Sequence, residues 1–128
     1  MSPIRQTLQF NASPERIYQA LLDASEHSSF TGAPAEVDAS EGGAFAVYGG
    51  HIEGRTIELI PNARIVQAWR AASWEAGAYS IVRYDLKPTT EGTELTLEQS
   101  GMPEGTKAHL DEGWKQRYWG PLRIYLGA

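Results

Sequence analysis

Cysteine is absent from all 128 residues, which excludes disulfide staples and thiolate metal sites and fits a reducing compartment. No stretch approaches the roughly 18 consecutive apolar residues that a membrane span needs. The opening MSPIRQTLQF holds no apolar run of signal-peptide length. Positive charge is scarce as well: 11 Lys and Arg face 16 Asp and Glu, for a formal charge of −5. Such a chain repels phosphate backbones, and the one basic cluster, Lys115, Arg117 and Arg123, is too sparse to reverse that, so nucleic acid is not an expected partner. Repeats, low-complexity tracts, a P-loop, a dinucleotide fingerprint and a nucleophile elbow are all missing. These absences leave a soluble, cytoplasmic protein as the expectation, with residues 1–128 forming one domain.

The chain has abundant rings and turn residues. After a short strand over RQTLQF, Ser13 and Pro14 open NASPERIYQALLD as an N-cap and first helical residue. Ile17/Leu21 and Tyr18/Leu22 then give an apolar stripe, and a second short helix is expected around Ala24 to Ser29. From Ala35 to Ser100 the period becomes two. AEVDA, AFAVYG, HIEGRTIELI, ARIVQAWR, YSIVRYDLK and TELTLEQS read as strands, cut by Gly42-Gly43, Gly49-Gly50, Pro61-Asn62 and PTTEG. Gly49-Gly50 suits a two-residue hairpin. Short connections force antiparallel pairing, so the strands form a curved meander joined by the first one.

From about Glu104 the periodicity is helical. Leu110, Trp114, Tyr118, Pro121, Leu122 and Tyr125 share a sector of about 120°, with Trp119 at its edge and expected to be partly exposed. Pro121 cannot donate to the Arg117 carbonyl, so the helix is expected to bend near Gly120. The architecture is therefore α+β of the helix-grip kind: a curved antiparallel sheet wrapped around a long C-terminal helix, with two short helices after the first strand.

Candidate chemistry is thin. His27, His51 and His109 lie in three different elements without metal-site spacing and are expected at the surface or in turns, so no metal and no cofactor are called for. The space between helix and sheet would be lined by Phe45, Val47, Ile52, Trp69, Tyr84, Leu97, Trp114 and Tyr118, rings with a polar tip that suit a small apolar or aromatic ligand. Trp69 either fills that space or lines it. Trp74, in the loop AASWEAG, either caps its mouth or, with Trp119, anchors a protein partner. Glu53, Glu58, Arg83 and Asp85 would be the acid–base candidates if the register turned them inward; a solvated sheet face is the commoner arrangement.

The ordered motifs Gly42-Gly43-x-Phe45, Ile52-x-Gly54, Ile60-Pro61 followed by Ile65-Val66 and Trp69, Gly92-Thr93-x-Leu95 and Gly113-Trp114 followed by Tyr118 carry a further signal. Together they resemble the C-terminal domain of the activators of the heat-shock protein 90 ATPase and their bacterial homologues, which are START-like (SRPBCC) helix-grip domains. The likeness runs over about residues 5 to 127. It implies the same fold and a chaperone ATPase as a possible partner in the stress response. It supplies no catalytic residue, so an enzyme is the least favoured reading. A non-enzymatic domain holding a small apolar ligand is the first expectation, a co-chaperone-like interaction domain the second, as monomer or homodimer.

Overall fold

The computed structural model describes residues 3–128; Met1 and Ser2, which begin the stretch read for a leader, lie outside them. Strand β1 (Ile4–Phe10) leads into α1 (Pro14–Leu22) and α2 (Ala24–Thr31). The Ser13 hydroxyl accepts from the Arg16 N–H at 3.2 Å and Asp23 does the same for Glu26 at 2.9 Å, so each short helix has its own N-cap. Six strands follow: β2 (Glu36–Val37), β3 (Ala44–Val47), β4 (Ile52–Ile60), β5 (Arg64–Ala71), β6 (Ser80–Pro88) and β7 (Thr93–Ser100). All pair antiparallel in one seven-stranded sheet of order β1-β7-β6-β5-β4-β3-β2. This is the expected meander with β1 closing onto its last strand.

Two details of the hairpins differ from expectation. AEVDA contributes only two paired residues. The β3–β4 connection is also longer than two residues, because Val47 pairs with Ile52 and leaves Tyr48 to His51 in the turn. Tyr48 sits at φ 53° in that turn, a backbone region that costs a side-chain-bearing residue energy and needs support from its surroundings.

The register sorts side chains by face. Phe45, Val47, Thr56, Ile65, Gln67, Trp69, Val82, Tyr84, Leu95 and Leu97 are buried on the concave side. A bulge between Thr56 and Glu58 keeps Leu59 opposite Ile65 and turns Glu58 outward. Glu53, Glu58, Arg83 and Asp85 consequently lie on the convex face, held in ion pairs: Arg70–Glu53 at 2.5 Å, Arg64–Glu58 at 3.7 Å and Arg83–Asp85 at 2.9 Å. That is the solvated arrangement, not an inward acid–base set.

The C-terminal rod begins as α3 (Lys107–Gly113), passes through a π-helical turn (Trp114–Trp119) and resumes as α4 (Gly120–Leu126). The disturbance falls where Pro121 was expected to bend the helix, but its form is a π turn: the Gly120 N–H reaches back five residues to the Lys115 carbonyl. Residues five apart then stand over one another. Trp114 and Trp119 stack with centroids 5.7 Å apart and planes 16° apart. Trp119 is therefore 2% exposed, against the expectation of a partly exposed ring. Beyond the π turn the stripe rotates off the sheet. Leu122 stays buried, whereas Tyr125, expected in the buried stripe, is 37% exposed and donates its hydroxyl to Glu26 at 3.0 Å.

Candidate functional site

The rings of the rod meet the sheet in a continuous cluster. Trp114 lies 5.8 Å from Trp69 and 5.9 Å from Tyr84 between centroids, and Tyr118 lies 4.8 Å from Trp114. Each buried indole needs an acceptor for its N–H. Trp114 donates to Gln99 Oε1 at 2.8 Å; the Gln99 amide donates to Ser80 Oγ at 3.0 Å, and that hydroxyl donates to the Trp69 carbonyl at 2.8 Å. Trp119 donates to Gln6 Oε1 at 2.7 Å, while Gln6 Nε2 donates to the Asp111 carbonyl and carboxylate at 2.8 and 3.0 Å. Sequence reasoning missed Gln6, Ser80 and Gln99. A signal was present: Gln99 shares the inward phase of Leu95 and Leu97 in TELTLEQS, a polar group where an apolar one was due.

This packing fills the space proposed for a ligand. Phe45, Val47, Trp69, Tyr84 and Tyr118 do border a shared void, together with Leu21, His27, Val37 and Gln67, but its volume is about 10 Å³. One water is the most it admits. Leu97 is wholly buried and lines neither this void nor the cleft described below. Among the described residues, the void bounded by these side chains is too small for a small molecule.

His27 corrects another expectation. It is 4% exposed, packed 4.9 Å from Phe30 and 5.4 Å from Tyr118 between ring centroids, and its Nδ1 has no hydrogen-bond partner. Burial pushes its pKa down to about 4, because the imidazolium would lose its hydration there. The same burial pushes the Tyr84 and Tyr118 phenols well up, so both remain O–H groups. The depressed histidine makes stability depend on pH. Above an unfolded pKa near 6.5 the neutral ring costs nothing; as pH falls towards 4 the unfolded chain binds the proton first and folding weakens. The full loss is about 3 kcal/mol. Thermal unfolding followed from pH 7 to 4.5 is expected to show this decline, and His27→Leu to flatten it; an unchanged slope in the variant would assign the decline elsewhere.

A larger opening lies at one end of the grip. The β3–β4 turn supplies Tyr48, His51 and Ile52, the end of β5 and its following loop supply Trp69, Ala71, Ser73 and Trp74, and the start of the rod supplies Gly105, Thr106, His109, Leu110 and Arg117. Together they bound a cleft of about 750 Å³. It narrows to a recess of about 40 Å³ between Ile52, Trp69, Leu110, Trp114 and Tyr118. Trp74 is half-buried, edge-on to Trp69 at 5.7 Å. Its loop is braced by Arg70, which donates to the carbonyls of Trp74 at 2.6 Å, Glu75 at 3.3 Å and Ala78 at 3.3 Å. On the opposite lip the Tyr48 hydroxyl donates to the Arg117 carbonyl, the acceptor that Pro121 leaves without an α-helical donor. Burial raises the Tyr48 phenol to about 12. Ile52, Trp69, Trp114 and Tyr118 therefore meet at this cleft, whereas Trp119 is far too buried to take part. Among the described residues no group of three or more His, Cys, Asp or Glu side chains is placed to hold a metal ion, and no helix is long and apolar enough to cross a membrane.

A seven-stranded antiparallel sheet curled over a C-terminal rod, with two short helices between the first strands, defines the START-like helix-grip class. Within that class residues 11–127 match the family model described as "Activator of Hsp90 ATPase homolog 1-like protein". The chain belongs to this family of heat-shock protein 90 ATPase activator homologues. It is 30% identical over 118 residues to the human activator of 90 kDa heat shock protein ATPase homolog 1, covering 92% of this chain and 35% of that protein. It is 33% identical over 112 residues to the corresponding protein of Dictyostelium discoideum, covering 84% of this chain and 28% of the other. The chain thus spans about a third of the length of these curated relatives. Among solved structures, an Hsp90 activator from Plasmodium falciparum superposes with TM-score 0.93 at 26% identity, covering 99% of this chain and 97% of that one. The Aha1 dimer from Colwellia psychrerythraea superposes with TM-score 0.76 at 22% identity over 98% of this chain and 91% of its own, a likeness of fold.

Proposed function

We propose that this chain is a non-enzymatic interaction domain that docks on a chaperone of the heat-shock protein 90 class and alters its ATP turnover. The observation that carries this reading is the closed interior. The void between Trp69, Tyr84 and Tyr118 holds only about 10 Å³, which supports a reading in which the domain meets its partner through its surface. The family relationship supplies the class of partner. The expected acid–base candidates Glu53, Glu58, Arg83 and Asp85 lie on the convex face in ion pairs, which supports a binding role.

A second reading, a small apolar or aromatic ligand, is supported by the open cleft, whose volume of about 750 Å³ falls in the range of small-molecule sites. Adding the purified chain to the heat-shock protein 90 of its own host is expected to change the rate of ATP hydrolysis by about twofold or more. Unchanged turnover together with no complex by calorimetry would reject the chaperone reading and leave the ligand reading in its place.

A further inference from the structure

The cleft has a charge character opposite to that of the molecule. The chain carries 16 acidic residues and a net charge of −5, yet no carboxylate is among the groups that line the cleft; its polar rim is made by His51, His109, Arg117, Ser73, Thr106 and Tyr48. The arginines are equally uneven. Arg5, Arg16, Arg64, Arg70 and Arg83 are ion-paired, Arg55 donates to the Gly42 carbonyl, and Arg123 donates to the carbonyls of Gln9 and Ala128. Among the described residues the guanidinium of Arg117 alone has no hydrogen-bond or ion-pair partner, and it is the one arginine that lines the cleft.

Shape adds to this. The floor is apolar, formed by Ile52, Trp69 and Leu110, and narrows to a recess of about 40 Å³, room for the tip of one apolar side chain. The rim is fixed in advance: Arg70 braces the Trp74 loop and the Tyr48 hydroxyl ties the opposite lip to the rod. A groove that is already ordered avoids much of the entropy cost of binding.

The geometry points to this cleft as the place where the partner docks, and to an occupant of defined chemistry: a segment of the chaperone that presents an aromatic or branched aliphatic side chain with a carboxylate close beside it. The side chain enters between Trp74 and Leu110; the carboxylate takes the free guanidinium of Arg117, whose planar fork matches it with two parallel hydrogen bonds. A polyanion is a poor occupant, since a single arginine in an acidic molecule neutralises too few phosphates. This assignment rests on the chaperone reading given above.

The test has two arms. In the first, the isotope-labelled chain is titrated with N-acetylphenylalanine and with its neutral amide, followed by amide and indole chemical shifts. Signals from Trp74, His109 and Leu110 are expected to move, with the carboxylate compound binding about fivefold or more tighter, and Arg117→Gln is expected to abolish that preference. Cleft signals that stay still, or that respond equally to both compounds, would overturn the assignment. In the second arm, affinity for full-length heat-shock protein 90 is measured for the parent chain, for Arg117→Glu and for Ile81→Asp on the convex face, each checked for an unchanged melting curve. Arg117→Glu is expected to weaken the complex about tenfold or more, with Ile81→Asp near the parent. Loss of binding confined to Ile81→Asp would keep the chaperone reading and overturn the cleft as its site. A complex unaffected by Arg117→Glu, with the carboxylate preference still abolished, would overturn docking in favour of a small carboxylate ligand. Absence of any complex from the parent chain would reject the chaperone reading itself.

Discussion

Trp114→Ala is expected to cost about 5 kcal/mol and to lower the melting temperature by about 15 °C or more. The indole is buried against four other rings, stacked on Trp119, tilted against Trp69 and Tyr118 and edge-on to Tyr84. Removing it from a close-packed interior forfeits its transfer free energy and leaves a hole that its neighbours fill incompletely, a loss of about 3–5 kcal/mol for Trp→Ala in cores. It also strips Gln99 Oε1 of its donor in a site closed to water, which adds about 1–3 kcal/mol. Domains of this kind have total stabilities of about 5–15 kcal/mol, so the variant sits near the threshold of folding. Trp114→Phe separates the two contributions, since it keeps most of the ring area and loses the donor. Urea denaturation monitored by circular dichroism measures both. A loss under about 1 kcal/mol for the alanine variant would show that the rod is not held by its rings.

The second large effect belongs to Gly54→Ala. In β4, Gly54 pairs with Phe45 on one side and Trp69 on the other, and both of those rings turn into the concave face. A methyl group built on Gly54 would stand 1.9 Å from the Ala68 carbonyl oxygen and 2.8 Å from Phe45 Cζ. The first obstacle is backbone in the middle of a sheet, which cannot swing aside as a side-chain tip can. Glycine is needed here because the neighbouring strand's backbone already stands where a Cβ would go, not for any unusual φ. Relief requires β4 and β5 to separate, and the expected cost is about 3 kcal/mol or more. Loss of the cooperative transition, or a melting temperature about 10 °C or more lower, is the expected result. A melting temperature within about 2 °C of the parent would mean that the strands yield without penalty at this point.

How much of this could be read beforehand depends on the range of the interaction. The meander was legible because alternation and turn residues are local: Pro61-Asn62 and PTTEG stand between the paired strands they were expected to separate. The first helix was legible for the same reason, through Ser13 and Pro14. The inward aim of Trp114 and Tyr118 followed from helical spacing and a buried stripe. Trp119 did not follow, because a wheel drawn at a constant angle cannot contain a π turn. The extra residue in that turn is retained by stacking and by the bond to Gln6, 113 positions away.

His27 was misread for a related reason. Its helix, ASEHSSFT, is too short and too polar to show a stripe, and only the spacing of His27 and Phe30 hinted that one face is covered. At the candidate site, the rings of the floor were legible as a set, but their tightness was not. Whether Trp69, Trp114, Tyr84 and Tyr118 leave a chamber or close it depends on fractions of an ångström between elements far apart in the chain. The unpaired state of Arg117 was invisible for the same reason: it emerges only after every other arginine has found its acceptor.

The contact between the Tyr48 hydroxyl and the Arg117 carbonyl has a mechanical consequence. Pro121 takes a donor away from the rod, and the sheet edge provides a replacement, so the break in the helix serves as a catch for the β3–β4 lip. Swinging that lip outward would bare the carbonyl and strand a phenol whose backbone is already held at positive φ. Lip and rod are latched to each other by this bond. The Trp74 loop across the mouth is held as well, by the three bonds from Arg70, so neither jaw swings freely and the mouth keeps its width.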